Sequence, residues 1–169
     1  RGQTQRFLDL LDANGATLGE IPRKLAFSTP VWSPDGARIA VAAGDGIGNS
    51  DIWMFDTRTK GLSRLTSGVV AIRPAWTADG KRIAFIAAKG DGTAVWTAAA
   101  DNSSAPVVFY AHPDKNTREI EFSRDGRYAV IRTDPGRTGK TVRDLWMLDL
   151  PKTPLSAVPI AHGPTNDVM

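Results

Sequence analysis

The sequence predicts an all-β protein assembled from repeated four-stranded antiparallel units, and three observations lead there. One phrase is written three times: an aromatic residue, a hydroxyl, a variable residue, Asp-Gly, then a basic residue opening an apolar run. The copies begin Trp32-Ser33-Pro34-Asp35-Gly36, Trp76-Thr77-Ala78-Asp79-Gly80 and Phe122-Ser123-Arg124-Asp125-Gly126. Their starts lie 44 and then 46 residues apart, the period of a β-propeller blade. Finally, each repeat holds four strand-like segments separated by turn chemistry, which is the strand count of such a blade.

The segments follow in order. Arg6 to Leu11 and Ala16 to Ile21 match the third and fourth strands of a blade whose first half is absent. Pro30 to Ser33 reads as a short extended entry, with Pro where no ladder N–H is needed. Ser33-Pro34-Asp35-Gly36 has type I turn chemistry, with Gly at the exit where positive φ suits it. Ala78 and Arg124 replace Pro34 in the other copies, which such a turn accepts. Arg38 to Ala43, Arg82 to Ala87 and Arg127 to Ile131 are apolar without alternation, as strands covered on both faces are. Gly/Asp/Asn loops come next, at Gly44 to Asn49, Lys89 to Gly92 and Asp134 to Thr141. Third strands carry a central Trp: Asp51 to Asp56, Ala94 to Ala98 and Asp144 to Asp149. Fourth strands close each blade at Leu62 to Thr66, Val107 to Ala111 and Ala157 to Ala161.

This divides the chain into one partial propeller over 1–169. A half blade spans 1–23, blades span 24–67, 68–112 and 113–162, and 163–169 is a linker toward a missing blade. About three and a half blades of a larger ring, expected to be six-bladed, leave an open apolar flank and unpaired edges. The chain is therefore expected to be part of something longer, or to close its ring with the remaining blades or a second copy.

Composition limits the function. Hydrophobic residues make up 41% and charged residues 23% of the 169 residues, values of a globular chain. No apolar run approaches the roughly 18 residues of a membrane span, so no direct membrane insertion is expected. The net charge is +3, a small excess of bases rather than a basic face, so no nucleic-acid partner is expected. The absence of cysteine removes disulfides, Cys-based zinc sites and thiol nucleophiles together.

Several motifs carry the look of chemistry. Gly136-Arg137-Thr138-Gly139-Lys140-Thr141 imitates a phosphate-binding loop, but Asp134 stands where the pattern needs its first Gly. A Trp-bearing strand follows instead of a helix N-terminus, so the segment is read as a solvated hairpin loop. Gly44 to Asp51 could offer oxygens to calcium, yet it lacks the spacing and terminal Glu of an EF-hand loop. His112 and His162 are isolated and are read as surface residues. No Gly-x-Ser-x-Gly elbow occurs. Trp32, Trp53, Trp76, Trp96 and Trp146 occupy repeat-equivalent strand positions and are read as core.

On the Trp32 to Ala40 phrase, the Asp51-Ile52-Trp53-Met54-Phe55-Asp56 phrase and Leu65-Thr66-Ser67-Gly68 ahead of Pro74-Ala75-Trp76, the chain resembles the TolB-like WD-like propeller repeat family over nearly its whole length. Similar propellers occur in peptidases and lyases and are fused to bacterial transmembrane serine/threonine kinases. The resemblance implies a periplasmic or otherwise extracytoplasmic bacterial protein whose binding surface lies at one mouth of the ring. The matching positions sit just ahead of each first strand: Phe27, Ser28 and Thr29; Ala71, Ile72 and Arg73; Thr117, Arg118 and Glu119. Among them Arg73, Arg118 and Glu119 are the candidate binding residues. The first two sets lack acidic residues, and Ile120 stands where Pro30 and Pro74 stand in the other copies.

The functional expectation is a non-catalytic, protein- or peptide-binding propeller module of a larger TolB-like or sensor protein, without cofactor or metal. The competing reading is an accessory or gating propeller of a serine/threonine kinase or serine peptidase whose catalytic domain lies outside this chain.

Overall fold

A computed structural model of the chain describes residues 9–11, 13–20, 25–44, 49–113, 115–135 and 143–161. No helix occurs among them; the fourteen strands form three four-stranded antiparallel sheets and one two-stranded ribbon. The ribbon pairs β1 (Asp9–Leu11) with β2 (Thr17–Glu20). The first full blade is β3 (Ala26–Trp32), β4 (Arg38–Gly44), β5 (Ser50–Asp56) and β6 (Leu62–Arg64). A second follows as β7 (Ile72–Trp76), β8 (Arg82–Lys89), β9 (Gly92–Ala99) and β10 (Val107–Tyr110). The third is β11 (Lys115–Phe122), β12 (Tyr128–Pro135), β13 (Asp144–Asp149) and β14 (Ala157–Ala161). Strands run in sequence order across every sheet, so each blade is a meander.

Why the repeated phrase turns as it does is visible in its hydrogen bonds. Gly36, Gly80 and Gly126 adopt φ of 70°, 65° and 70°, and their N–H groups donate to the carbonyls of Ser33, Thr77 and Ser123 at 2.9, 2.9 and 3.0 Å. Each hydroxyl donates to the Asp two residues on, at 2.5, 2.7 and 2.6 Å. The same carboxylate oxygen accepts from the backbone of Ala37, Lys81 or Arg127. The hydroxyl in turn accepts from the N–H of Arg38, Arg82 or Tyr128, at 2.9, 3.1 and 2.9 Å. Hydroxyl and Asp thus close the hairpin from both sides, and neither position is a generic turn residue.

These bonds hold Asp35, Asp79 and Asp125 below the usual carboxylate value, the hydroxyl bond being the largest cause and the backbone N–H the next. A folded value below the unfolded one of about 3.9 means the stabilisation is fully present above about pH 4. It is lost as pH falls through the depressed folded values. Denaturant midpoints are expected to fall below pH 4. That slope should flatten in the D35N/D79N/D125N variant, and an unchanged acid slope would count against these turns as its source.

Blade packing follows from the period of two in the second strands. On β4, Ala40 and Ala42 face the second blade, while Ile39, Val41 and Ala43 face the other way with Phe27 and Phe55. On β8, Ile83, Phe85 and Ala87 meet Ala40, Ala42 and Ile52 of the first blade, and Ala84 and Ile86 meet Ile120, Ala129 and Ile131 of the third. Both faces of β4 and β8 are buried by this arrangement, which is why their sequences are apolar runs without alternation. The third-strand tryptophans lie opposite the apolar residue of the second strand: Trp53 beside Val41, Trp96 beside Phe85, Trp146 beside Ile131.

Three expectations need correction. The second strand of the third blade runs on through Pro135, beyond its expected end at Ile131, because β11 continues to pair with it as far as Lys115. The first strands are longer than expected, so Pro30 and Pro74 sit inside β3 and β7 rather than at their entries. Each lies at a β-bulge, between Ser28 and Val31 and between Ile72 and Ala75, where the ladder does not require an N–H. Trp32 is also not core: it is 55% exposed, whereas its equivalent Trp76 is 8% exposed. Trp76 donates from Nε1 to the Val31 carbonyl at 3.2 Å and lies under the Arg38 guanidinium. Both partners come from the first two strands of the preceding blade, and ahead of Trp32 the described residues supply only the β1–β2 ribbon.

Candidate functional site

Arg73 and Thr29 share one unusual conformation, with φ of 53° and 48°. Both precede Pro, both lie in the bulge of a first strand, and neither is Gly, so the bulge holds the backbone in the left-handed region at a cost of about 1–2 kcal/mol. In β11 the bulge falls between Thr117 and Glu119, and no residue there has positive φ. Ile120 in place of Pro marks that difference in the sequence.

The bulges bring the three candidate residues together, and they recruit two more. Arg73, on β7, forms an ion pair from Nη1 to Glu119 Oε1 on β11. Arg132, on β12, donates from Nε to Glu119 Oε2 at 2.7 Å and from Nη1 to Asp134 Oδ1 at 3.3 Å. Arg118 donates from Nε to Asp134 Oδ2 at 2.9 Å. The result is an alternating chain of charges, Arg73–Glu119–Arg132–Asp134–Arg118, that links the second blade to the third. All five candidates and recruits lie within strands rather than ahead of them. Three guanidinium groups face two carboxylates, leaving one cation in excess.

That excess registers on Arg73. Partial burial lowers its pKa first; the charges of Arg132 and Arg118 lower it further, Asp134 opposes them, and Arg143 adds to the depression. The group stays protonated, but in a positive field that an incoming anion would relieve. Glu119 shares its two oxygens between Arg73 and Arg132, so it bridges the blades and does not stand as an open acid. Arg132 and Asp134 were not among the expected site residues. One signal was present: Arg132 interrupts its apolar run at the position held by Ala42 and Ile86 in the other blades, both of which are buried.

The remaining motifs fall elsewhere. His112 packs against Trp146, ring centroids 4.6 Å apart and planes tilted by 56°, a packing role between the second and third blades. Among the described residues no group of three or more His, Cys, Asp or Glu side chains is placed to hold a metal. The phosphate-loop imitation, 136–141, His162 and most of the Gly44 to Asn49 loop lie outside the described residues.

No protein-family model and no curated protein sequence matches the chain. Solved structures do. A putative TolB from Agrobacterium tumefaciens superposes with a TM-score of 0.73 at 18% identity, over 88% of this chain and 55% of that one. TolB from Acinetobacter baumannii superposes with a TM-score of 0.63 at 18% identity, over 89% of this chain and 37% of that one. The β-propeller domain of the Trilobed protease from Pyrococcus furiosus gives 0.57 at 18% identity, over 81% and 43%. In fold the chain is a TolB-like β-propeller, and it spans between 37% and 55% of the length of these three structures.

Proposed function

We propose that the chain is a non-catalytic propeller module that binds a protein or peptide, within a larger TolB-like or sensor protein, and that Arg73, Arg118 and Glu119 belong to its binding surface. The observation that carries this reading is the unbalanced Arg73–Glu119–Arg132–Asp134–Arg118 chain, whose excess positive charge suits an acidic group of the partner. An arginine held at positive φ across a blade boundary is preorganised for such a contact at some backbone cost. The likeness to the Trilobed protease propeller favours one second reading, an accessory propeller of a peptidase. A periplasmic or extracytoplasmic setting goes with the TolB-like reading. No helix of the described residues is long and apolar enough to cross a membrane.

The ring is completed, in the same reading, by further blades or a second copy on the open flank of the third blade. Val130 and Leu145 are 36% and 39% exposed there. Their equivalents Ala40, Ala84, Ile52 and Val95 are fully buried by a neighbouring blade.

The test uses R73A/R118A. Glu119 and Asp134 both keep Arg132 as partner in this variant, and half-exposed ion pairs contribute about 0–1 kcal/mol each. Thermal stability should therefore stay near wild type. Binding of Asp- and Glu-bearing peptides, read by calorimetry across a peptide panel, should weaken at least tenfold and lose most of its salt dependence. Peptides that bind both proteins equally would overturn the assignment.

A further inference from the structure

At the Asp-Gly-turn end of the blades, the two inter-blade junctions are built from equivalent residues and are filled differently. Between the first and second blades, the Arg38 guanidinium lies over the Trp76 ring, 4.8 Å from its centroid. Its Nη2 donates to the Gly80 carbonyl at 3.0 Å. Each part of this slot recurs one repeat later: Arg82 for Arg38, Phe122 for Trp76, Gly126 for Gly80. The turns stack in the same way, Pro34 against Gly80 and Ala78 against Gly126.

The occupant does not recur. Arg82 turns back onto its own sheet, where Thr97 Oγ1 accepts from Nε at 3.3 Å and from Nη2 at 2.9 Å, and the Thr97 carbonyl accepts from Nη2 at 3.4 Å. Met54, the equivalent of Thr97 in the first blade, is a thioether with little accepting power, which leaves Arg38 to reach across. The vacated junction is a cleft of about 470 Å³ between two complete blades. Its apolar wall is Phe109, Phe122, Leu150 and Leu155, with Phe109 edge-on to Phe122 at 6.1 Å. Asp79, Asp125, Arg82 and Arg124 also line it. Both carboxylates titrate below the ordinary value, and each binds its own turn through Oδ1. Among the described residues no side chain donates to the Gly126 carbonyl.

We propose that this cleft binds the guanidinium of an arginine side chain presented by a peptide, in the place that Arg38 takes one junction earlier. The ring of Phe122 supplies the π face and the Gly126 carbonyl the acceptor, while Asp79 and Asp125 balance the Arg82 and Arg124 charges of the lining. Thr97 keeps the slot open by holding Arg82 away from it. The cleft shares no residue with the Arg73–Arg118 cluster, so the two sites fail or succeed separately.

The probe is the blocked tripeptide acetyl-Ala-Arg-Ala-amide, with its citrulline analogue as a neutral isostere, titrated into the full chain and followed by amide NMR shifts. Wild type should bind the arginine peptide, with shifts centred on Phe122, Gly126 and Leu150, and bind the citrulline peptide at least tenfold more weakly. Thr97→Met should free Arg82 to fill the slot and weaken arginine-peptide binding at least tenfold. R82A/T97M removes that occupant and should restore it. Absence of binding by wild type, equal binding of the citrulline peptide, an unaltered affinity in T97M, or no recovery in R82A/T97M would each overturn the proposal. R73A/R118A should bind the arginine peptide as wild type does.

Discussion

Phe85→Ala should destabilise the chain by about 3–5 kcal/mol, the range for truncating a fully buried Phe. Phe85 stands at the middle of β8 with no exposed surface, in the cluster that joins Ala40, Ala42 and Ile52 of the first blade to Ile83 and Ala87 of the second. Its strand partner is Trp96, whose ring packs against the same cluster. In stacked repeats, stability is a sum of unit terms and nearest-neighbour interface terms. Loss of this interface should therefore separate the first blade from the rest. Urea unfolding is expected to broaden or split. Hydrogen exchange should accelerate in Ala40–Ala43 more than in Ala129–Ile131. A cost under about 1 kcal/mol with one sharp transition would show that the blades are not coupled through this cluster.

The second large effect comes as a contrast between two tryptophans that the repeat makes equivalent. Trp76→Ala is expected to cost about 3–5 kcal/mol, since it removes a buried indole, the bond to the Val31 carbonyl and the ring beneath Arg38. Trp32→Ala is expected to stay within about 1 kcal/mol, as changes at exposed positions do. Paired denaturant titrations of the two variants measure the difference. Equal costs would mean that Trp32 is covered in solution, and that a further blade or a second copy packs over it. Adding that partner, if it is a second copy, would make the Trp32→Ala cost depend on protein concentration.

The contrast shows where reading the sequence stops. Trp32 and Trp76 sit in the same nine-residue phrase, and nothing within the phrase separates them. Burial at this position is conferred by Val31- and Arg38-type residues 38 to 45 positions earlier, on the preceding blade. Arg38 and Arg82 diverge for a similar reason. Their phrases match, but Arg82 bonds to Thr97 on a third strand while Arg38 reaches the Gly80 carbonyl of the next blade. Of the proposed site, Arg73, Arg118 and Glu119 come from the family resemblance, which expects binding residues just ahead of each first strand; the structure places them at bulges inside those strands. Their partners Arg132 and Asp134 come from β12, paired across the hairpin, and only a break in an apolar run hinted at Arg132.

By itself the sequence determined what local chemistry can dictate. The Asp-Gly turns, the apolar second strands, the Trp-bearing third strands and the blade period all follow from residues within one repeat, where turn preference and strand patterning act over a few positions. Only the tertiary structure decided how one blade meets the next: which Trp is covered, which Arg crosses a junction, and which charges join into a chain. The covered Trp, the crossing Arg and the Arg73–Glu119 pair depend on side chains some forty residues apart, brought within a few ångströms by stacking, while the rest of the charge chain closes within the third blade. No period in the sequence specifies them, because equivalent positions acquire different neighbours.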